Sequence, residues 1–339
     1  MTHPTHSTRR ILAAALALPL LLAACSPGTD QPGAGAEPPS QAAAGGAAAE
    51  EWPRTVTVGE QEVEIVGPAQ RVVALSTETG DLALHLVGHQ RVAAVATGSV
   101  TDGAGNELAE ATQVETVLPP GTTPDPEQIL ALEPDLVLLT SRHEGEEDAA
   151  EILAASGVPA LVFDADDFDS PGAVAASVRT LGTALGAEEA ADQAAQQLET
   201  QVAEVETRIA EAEQVPRVLT LMARGDQVMI TGMGSTLTTL TEAAGGTPVA
   251  AEQGWNGTVP ADPELILASD PEIILVEDFR GTGLDPFTEL LDSPALADVP
   301  AIAEDQVHLV PSQQASGSAG LHLADGLRTV AALVHPDLF

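Results

Sequence analysis

The chain has no lysine and no tyrosine, only one cysteine, and an aromatic content of 2%. Each absence removes a class of chemistry. Without tyrosine, no phenolate can ligate a metal. With Cys25 alone, neither an internal disulfide nor a multi-cysteine metal centre can form. Without lysine, all 12 basic residues are arginines, set against 51 acidic residues for a formal net charge of −39. A surface of that sign repels nucleic acid and anionic lipid, so neither is an expected partner. Enzyme signatures are missing too: there is no His-Glu-x-x-His, no Gly-x-Ser-x-Gly and no Gly-x-x-x-x-Gly-Lys. The acidic run Asp164 to Asp169 has Asp169 where a calcium loop needs glycine and Ala175 where it needs glutamate. A strand end followed by a helix cap at Ser170-Pro171 accounts for it more simply.

What is present begins with an export signal. Arg9 and Arg10 precede an apolar run, Ile11 to Leu22, of signal-peptide length and too short to span a bilayer. The run ends in Leu22-Ala23-Ala24-Cys25, which resembles the bacterial lipobox. Residues 1–24 therefore read as a lipoprotein signal peptide and Cys25 as the lipidated residue. Ser7 to Leu12 also fits a twin-arginine signal loosely, and both export routes stay open. Residues 25–51, rich in Pro, Gly and Ala, read as a flexible tether.

The remainder is long enough for two lobes of ordinary domain size. Thr55 to Ile65 alternates about Gly59 as a β-hairpin. Short uninterrupted apolar runs follow at Arg71–Leu75, Arg91–Ala96, Asp135–Leu139 and Pro159–Phe163, separated by helical stretches such as Pro126–Leu132 and Glu147–Ser156. Such strands are typical of a parallel sheet buried on both faces. From Ala187 to Glu213 apolar residues recur every three or four positions with no Gly or Pro, predicting one helix about 40 Å long. A second series has strands at Arg217–Met222, Gln227–Thr231, Glu272–Val276 and Gln306–Val310. Helices are expected at Thr236–Ala244, Pro263–Ser269 and Ser318–Val334. The expected division is an N-terminal α/β lobe over 52–186, a spanning helix over 187–213 and a C-terminal α/β lobe over 214–339.

An internal repeat supports this division. Asp125-Pro-Glu-Gln-Ile-Leu-Ala-Leu-Glu-Pro-Asp-Leu-Val-Leu-Leu139 recurs without a gap as Asp262-Pro-Glu-Leu-Ile-Leu-Ala-Ser-Asp-Pro-Glu-Ile-Ile-Leu-Val276. In each copy Asp caps a helix, Pro takes its first position and Glu complements the positive end of the dipole. Two Rossmann-like lobes joined by one rigid helix leave a cleft between them, where small-molecule sites tend to form.

These features, with Gln70 to Ser76 and Glu242-Ala-Ala-Gly-Gly246, resemble the helix-hinged substrate-binding proteins of ABC importers for iron complexes, haem and cobalamin. The resemblance implies a non-enzymatic carrier on the extracytoplasmic face of the cell membrane. It would be monomeric, attached to the membrane only through its lipid, and would have no intrinsic cofactor. Its cargo would be an iron chelate, siderophore or haem, handed to a permease and its ATPase. Cobalamin or a bare metal is the alternative cargo, and a cell-envelope scaffold that has lost transport is the alternative class. In relatives one glutamate per lobe docks on the permease, and Glu127 and Glu264 match those positions; each is also a glutamate that a helix dipole alone would favour.

Loops after the strand ends should line the cleft. Arg142, Arg224 and Arg280 suit pairing with carboxylates of the chelate, and Trp255 suits packing on a flat face. His143, or a Met such as Met222, is the candidate ligand to a haem iron. For Met222, Met229 and Met233 core packing competes with that role, and solvated loop positions compete for Arg142 and His143. Many haem-binding relatives ligate iron through tyrosine, which this chain lacks.

Overall fold

The computed structural model describes residues 52–119, 124–141, 144–225 and 227–339. Cys25, the signal segment and the tether lie outside the described residues. From residue 49 onward the chain is one compact unit, and none of its described helices is long and apolar enough to cross a membrane.

The first half opens with a hairpin, β1 (Arg54–Val58) and β2 (Gln61–Ile65). A five-stranded sheet follows, built from β3 (Val72–Ala74), β4 (Val92–Ala96), β5 (Thr116–Leu118), β6 (Leu136–Thr140) and β7 (Ala160–Phe163), in the order β5-β4-β3-β6-β7. All its pairings are parallel, and β3 and β6 are buried along their whole length. Its helices are α1 (Thr77–Val87), α2 (Leu108–Ala111), α3 (Pro126–Leu130), α4 (Glu144–Ala155) and α5 (Pro171–Leu185). The long helix α6 (Glu188–Ile209) comes next and packs on α5.

The second half contains β8 (Arg217–Arg224), β9 (Gln227–Ile230), β10 (Thr247–Pro248), β11 (Val259–Pro260), β12 (Ile273–Asp278) and β13 (Val307–Pro311). Its helices are α7 (Thr236–Ala243), α8 (Val249–Gln253), α9 (Pro263–Ser269), α10 (Thr288–Leu291), α11 (Pro300–Ala303), α12 (Ser312–Ala315) and α13 (Leu323–Val334). The sheet order is β11-β9-β8-β12-β13, with β10 beside β8.

Two expectations are corrected. The second sheet is mixed, because β8 runs parallel to β12 but antiparallel to β9, and β9 to β11. Two residues around Gly225 separate β8 from β9, far fewer than a parallel crossover needs. The long helix stops at Ile209 rather than Glu213. Arg208 is the only basic residue of its last turn, whereas Glu211 and Glu213 would meet the negative end of the dipole. Arg208 instead lies over the Phe339 ring at 5.3 Å.

The repeat builds matching corners. Asp125 caps α3 by accepting from the Glu127 N–H at 3.0 Å, and Asp262 caps α9 by accepting from the Leu265 N–H at 2.9 Å. The later acid of each copy holds the start of a central strand. Asp135 accepts from the Arg71 N–H at 2.8 Å, and Glu272 from the Arg217 N–H at 2.8 Å. Both arginines then donate back to a carbonyl at the preceding helix end, Arg71 to Glu133 at 3.2 Å and Arg217 to Asp270 at 2.9 Å. Glu133 and Asp270 share a left-handed φ of 50° and 45°, so the quasi-symmetry reaches the backbone.

The halves meet along a seam. Gln313 Nε2 donates to the Gly105 carbonyl at 2.9 Å, and Asn106 Nδ2 to the Ser318 carbonyl at 2.9 Å. The Asn106 N–H in turn donates to Asp81 Oδ2 at 2.7 Å. Asp81 is buried and its Oδ1 has no partner among the described residues. Burial first, then the neighbouring Glu107 and Glu78, push its carboxyl from 3.8 up to about 7. Helix α6 packs on α13 as well as α5, so it bridges both halves beside this seam.

Two outcomes follow from this packing. Gly326 lies inside α13, where alanine would ordinarily gain about 0.5–1 kcal/mol. A Cβ there, however, falls 1.8 Å from the Gln314 carbonyl oxygen. Gly326→Ala should therefore lower stability, by about 1–3 kcal/mol or more in denaturant titration. Asp81 has a folded pKa above its unfolded one, so its contribution is intact below about pH 4 and declines as pH rises through about 7. Asp81→Asn keeps an acceptor for the Asn106 N–H, and its melting temperature should gain on the wild type progressively across that window. A difference that is independent of pH would show that the carboxyl does not titrate there.

Candidate functional site

The C-terminal ends of the strands in both sheets carry the loops expected to line a cleft. On the first half, Ser76 follows β3 and caps α1 by accepting from the Thr79 N–H at 3.3 Å. Thr97 begins a turn after β4 and donates to the Leu118 carbonyl at 2.7 Å. Ser141, after β6, donates to Asp164 in a short hydrogen bond. Arg142 and His143 lie outside the described residues.

On the second half, β8 carries two of the expected residues on one face. Residues alternate along a strand, so Val218, Thr220, Met222 and Arg224 point the same way. Val218 belongs to the core under α7 and α13. Thr220 is buried in a hydroxyl network with Thr231 and Thr238, and Ser235 donates to Thr238 at 2.8 Å. Met222 is half-buried above that network, opposite Met229 in the β8–β9 register. Arg224 stands at the exposed end. Met222, Met229 and Met233 are all half-buried, neither sealed in the core nor free of it.

Arg224 differs from its kind. Arg54 binds Glu188, Arg179 holds Glu199 at 2.6 Å, Arg217 holds Glu252 at 2.7 Å and Arg328 reaches Glu204 at 3.7 Å. Arg71 and Arg91 donate to backbone carbonyls, and Arg208 covers Phe339. Of the arginines whose side chains are described, Arg224 alone makes no hydrogen bond, ion pair or ring contact among the described residues.

The other expected residues are placed apart from this face. Trp255 packs against the apolar cluster that includes Leu221, Ile230 and Val249, on the opposite side of the sheet from Met222. Its carbonyl accepts from the Met233 N–H at 2.8 Å. Arg280 falls in the turn Phe279–Gly281 that follows β12. Glu127 and Glu264 are exposed in the first turns of α3 and α9, and neither carboxylate has a partner among the described residues.

Sequence reasoning did not single out Glu277. It sits one residue before the end of β12, half-buried and without a partner among the described residues, and burial pushes its carboxyl up to about 7. An acid closing an otherwise apolar strand was the available signal. His308 on β13 is held below its usual value by burial and lies 3.2 Å from Gln306. Among the described residues no three His, Cys, Asp or Glu side chains are grouped to hold a metal. A recess of about 170 Å³ beside α6, lined by Asp81, His85, Glu107, His322 and Asp325 among others, contains none of the expected ligand residues.

Comparison with known proteins fits this architecture. The periplasmic binding protein family matches residues 72–314. No curated protein sequence matches the chain. Among solved structures, the periplasmic heme-binding protein RhuT from Roseiflexus sp. RS-1, in its apo form, is similar with a TM-score of 0.67 and 24% identity, covering 80% of this chain and 100% of that one. A periplasmic heme-binding protein from Pseudomonas aeruginosa has a TM-score of 0.66 and 22% identity, covering 80% and 94%. A possible iron-binding periplasmic protein from Staphylococcus epidermidis has a TM-score of 0.66 at 12% identity, covering 79% and 100%. At these identities the likeness establishes the fold. With the family match spanning most of the chain, this protein belongs to the periplasmic binding protein family and is a two-lobed solute-binding protein.

Proposed function

We propose that the chain is the extracytoplasmic, lipid-anchored substrate-binding protein of an ABC importer, and that its cargo is an iron complex, either a ferric siderophore or haem. The anchor is assigned to Cys25. The observation that carries the cargo reading is Arg224. In a chain of net charge −39, a guanidinium that pairs with no carboxylate among the described residues points to an anionic group from outside. Its fork pairs bidentately with a carboxylate, a group common to haem and to many chelators. Structures similar in fold are described as heme-binding, in keeping with this cargo. Met222, two residues back on the same face, offers a polarizable thioether to the body of the ligand.

Glu127 and Glu264 supply the delivery step. Each stands exposed and unpaired at an equivalent position of the repeat, where a permease with basic pockets can take both. The protein itself performs no chemistry in this scheme; ATP hydrolysis on the partner drives transport.

Soluble protein from Ser26 to Phe339 should bind hemin or a ferric siderophore saturably, read by haem absorbance and tryptophan fluorescence. Arg224→Ala should weaken that binding roughly tenfold or more. Silence toward hemin, ferric siderophores and cobalamin alike would remove the carrier reading. Reversing both docking charges, Glu127→Arg with Glu264→Arg, should abolish uptake in cells and leave ligand affinity unchanged. Uptake that survives the reversal would reduce these two glutamates to helix-end residues.

A further inference from the structure

The inference concerns which complexes the cleft accepts, and it rests on the carrier reading above. The β8–β12 register sets Ile273 beside Val218 and Val276 beside Leu221. The pairing ends there; carried one step further along the two parallel strands, the same register aligns Glu277 with Met222. Met222 pairs with Met229 on one side, and Glu277 pairs with Val310 of β13 on the other. Met229, Met222, Glu277 and Val310 therefore fall in line across four strands and on one face, the two paired sets, Met229 with Met222 and Glu277 with Val310, about 4.8 Å apart.

Glu277 is the only ionisable group in that row. It has neither hydrogen bond nor ion pair among the described residues. Arg224 lies on the same face, about 7 Å beyond Met222 by the rise of a strand, and is likewise unpartnered. The two opposite charges do not pair with each other. With neither partnered among the described residues, they leave a two-point pattern, acidic at the floor and positive at the rim. The complementary ligand has a positive centre and an anionic edge.

We propose that Glu277 is a specificity-determining residue, whose carboxylate faces the electropositive centre of the bound metal complex while Arg224 holds a carboxylate on its edge. Complexes whose metal stays exposed on an open face gain from Glu277. Complexes in which a hexadentate chelator wraps the iron present only ligand atoms there and gain nothing. The flanking thioethers of Met222 and Met229 suit this role, because they are neutral, polarizable and do not compete for the charge. Desolvation of an unpaired carboxylate is costly, and a cationic centre supplies the partner that the fold withholds.

The test compares hemin with metal-free protoporphyrin, which carries the same carboxylates and lacks the iron. Wild-type mature protein should bind hemin about tenfold or more tightly than protoporphyrin. Glu277→Gln, close in shape and without the charge, should keep the protoporphyrin affinity and bring the two ligands within about threefold. Retained protoporphyrin binding also reports that the variant's cleft is folded. A Glu277→Gln protein that keeps the full hemin preference overturns the inference, as does a wild type that binds both porphyrins equally. Those outcomes leave the carrier reading standing, whereas a wild type that binds no iron complex at all removes both.

Discussion

The two halves of this molecule are each held by the same clamp. At the start of a central strand an arginine, Arg71 or Arg217, offers its backbone N–H to an acid on the neighbouring strand and its guanidinium to the end of the preceding helix. The clamp fixes where β3 and β8 begin relative to β6 and β12. Because the strands are short, fixing their beginnings also fixes where they end. The loops at those ends, and hence the cleft, inherit their positions from contacts made at the opposite side of each sheet.

With so few cations in an acidic chain, the distribution of arginines carries information. Arg179 ties α5 to α6, Arg328 ties α13 to α6, and Arg54 ties the hairpin to the start of α6. The helix between the halves thus gathers ion pairs from three elements. Individually, exposed pairs of this kind contribute about 0–1 kcal/mol; their larger effect is to relieve repulsion along a surface dominated by carboxylates. Against that pattern the guanidinium of Arg224 and the carboxyl of Glu277, both without a partner among the described residues, leave opposite charges open on one face of the second sheet.

Much of the fold was legible in the sequence because its signals are local. Uninterrupted apolar runs gave β3, β6 and β12, and Asp-Pro-Glu gave the starts of α3 and α9. The 3.6-residue period gave α6, though not the point where its own acidic residues end it. The features that escaped are those made by distant residues. The burial of Asp81 depends on Asn106 and on the loop before α13. The alignment of Met222 with Glu277 depends on the register of strands separated by some 50 residues. The site was legible in part for the same reason: Met222 and Arg224 lie two apart on one strand, so alternation brings them together. Trp255, approached from another loop, falls on the far side of the sheet.

The 22-residue helix between the halves also bears on how a carrier of the proposed kind would announce that it is full. Helix α6 is packed on both sides, and the seam of Gln313, Asn106 and Asp81 braces the same junction. A body joined in this way is braced where its halves meet. On the carrier reading proposed above, occupancy would be read at the strand ends, where a ligand edge would stand beside Arg224. A transporter meeting such a carrier would distinguish loaded from empty by touch at those ends rather than by a change in overall outline.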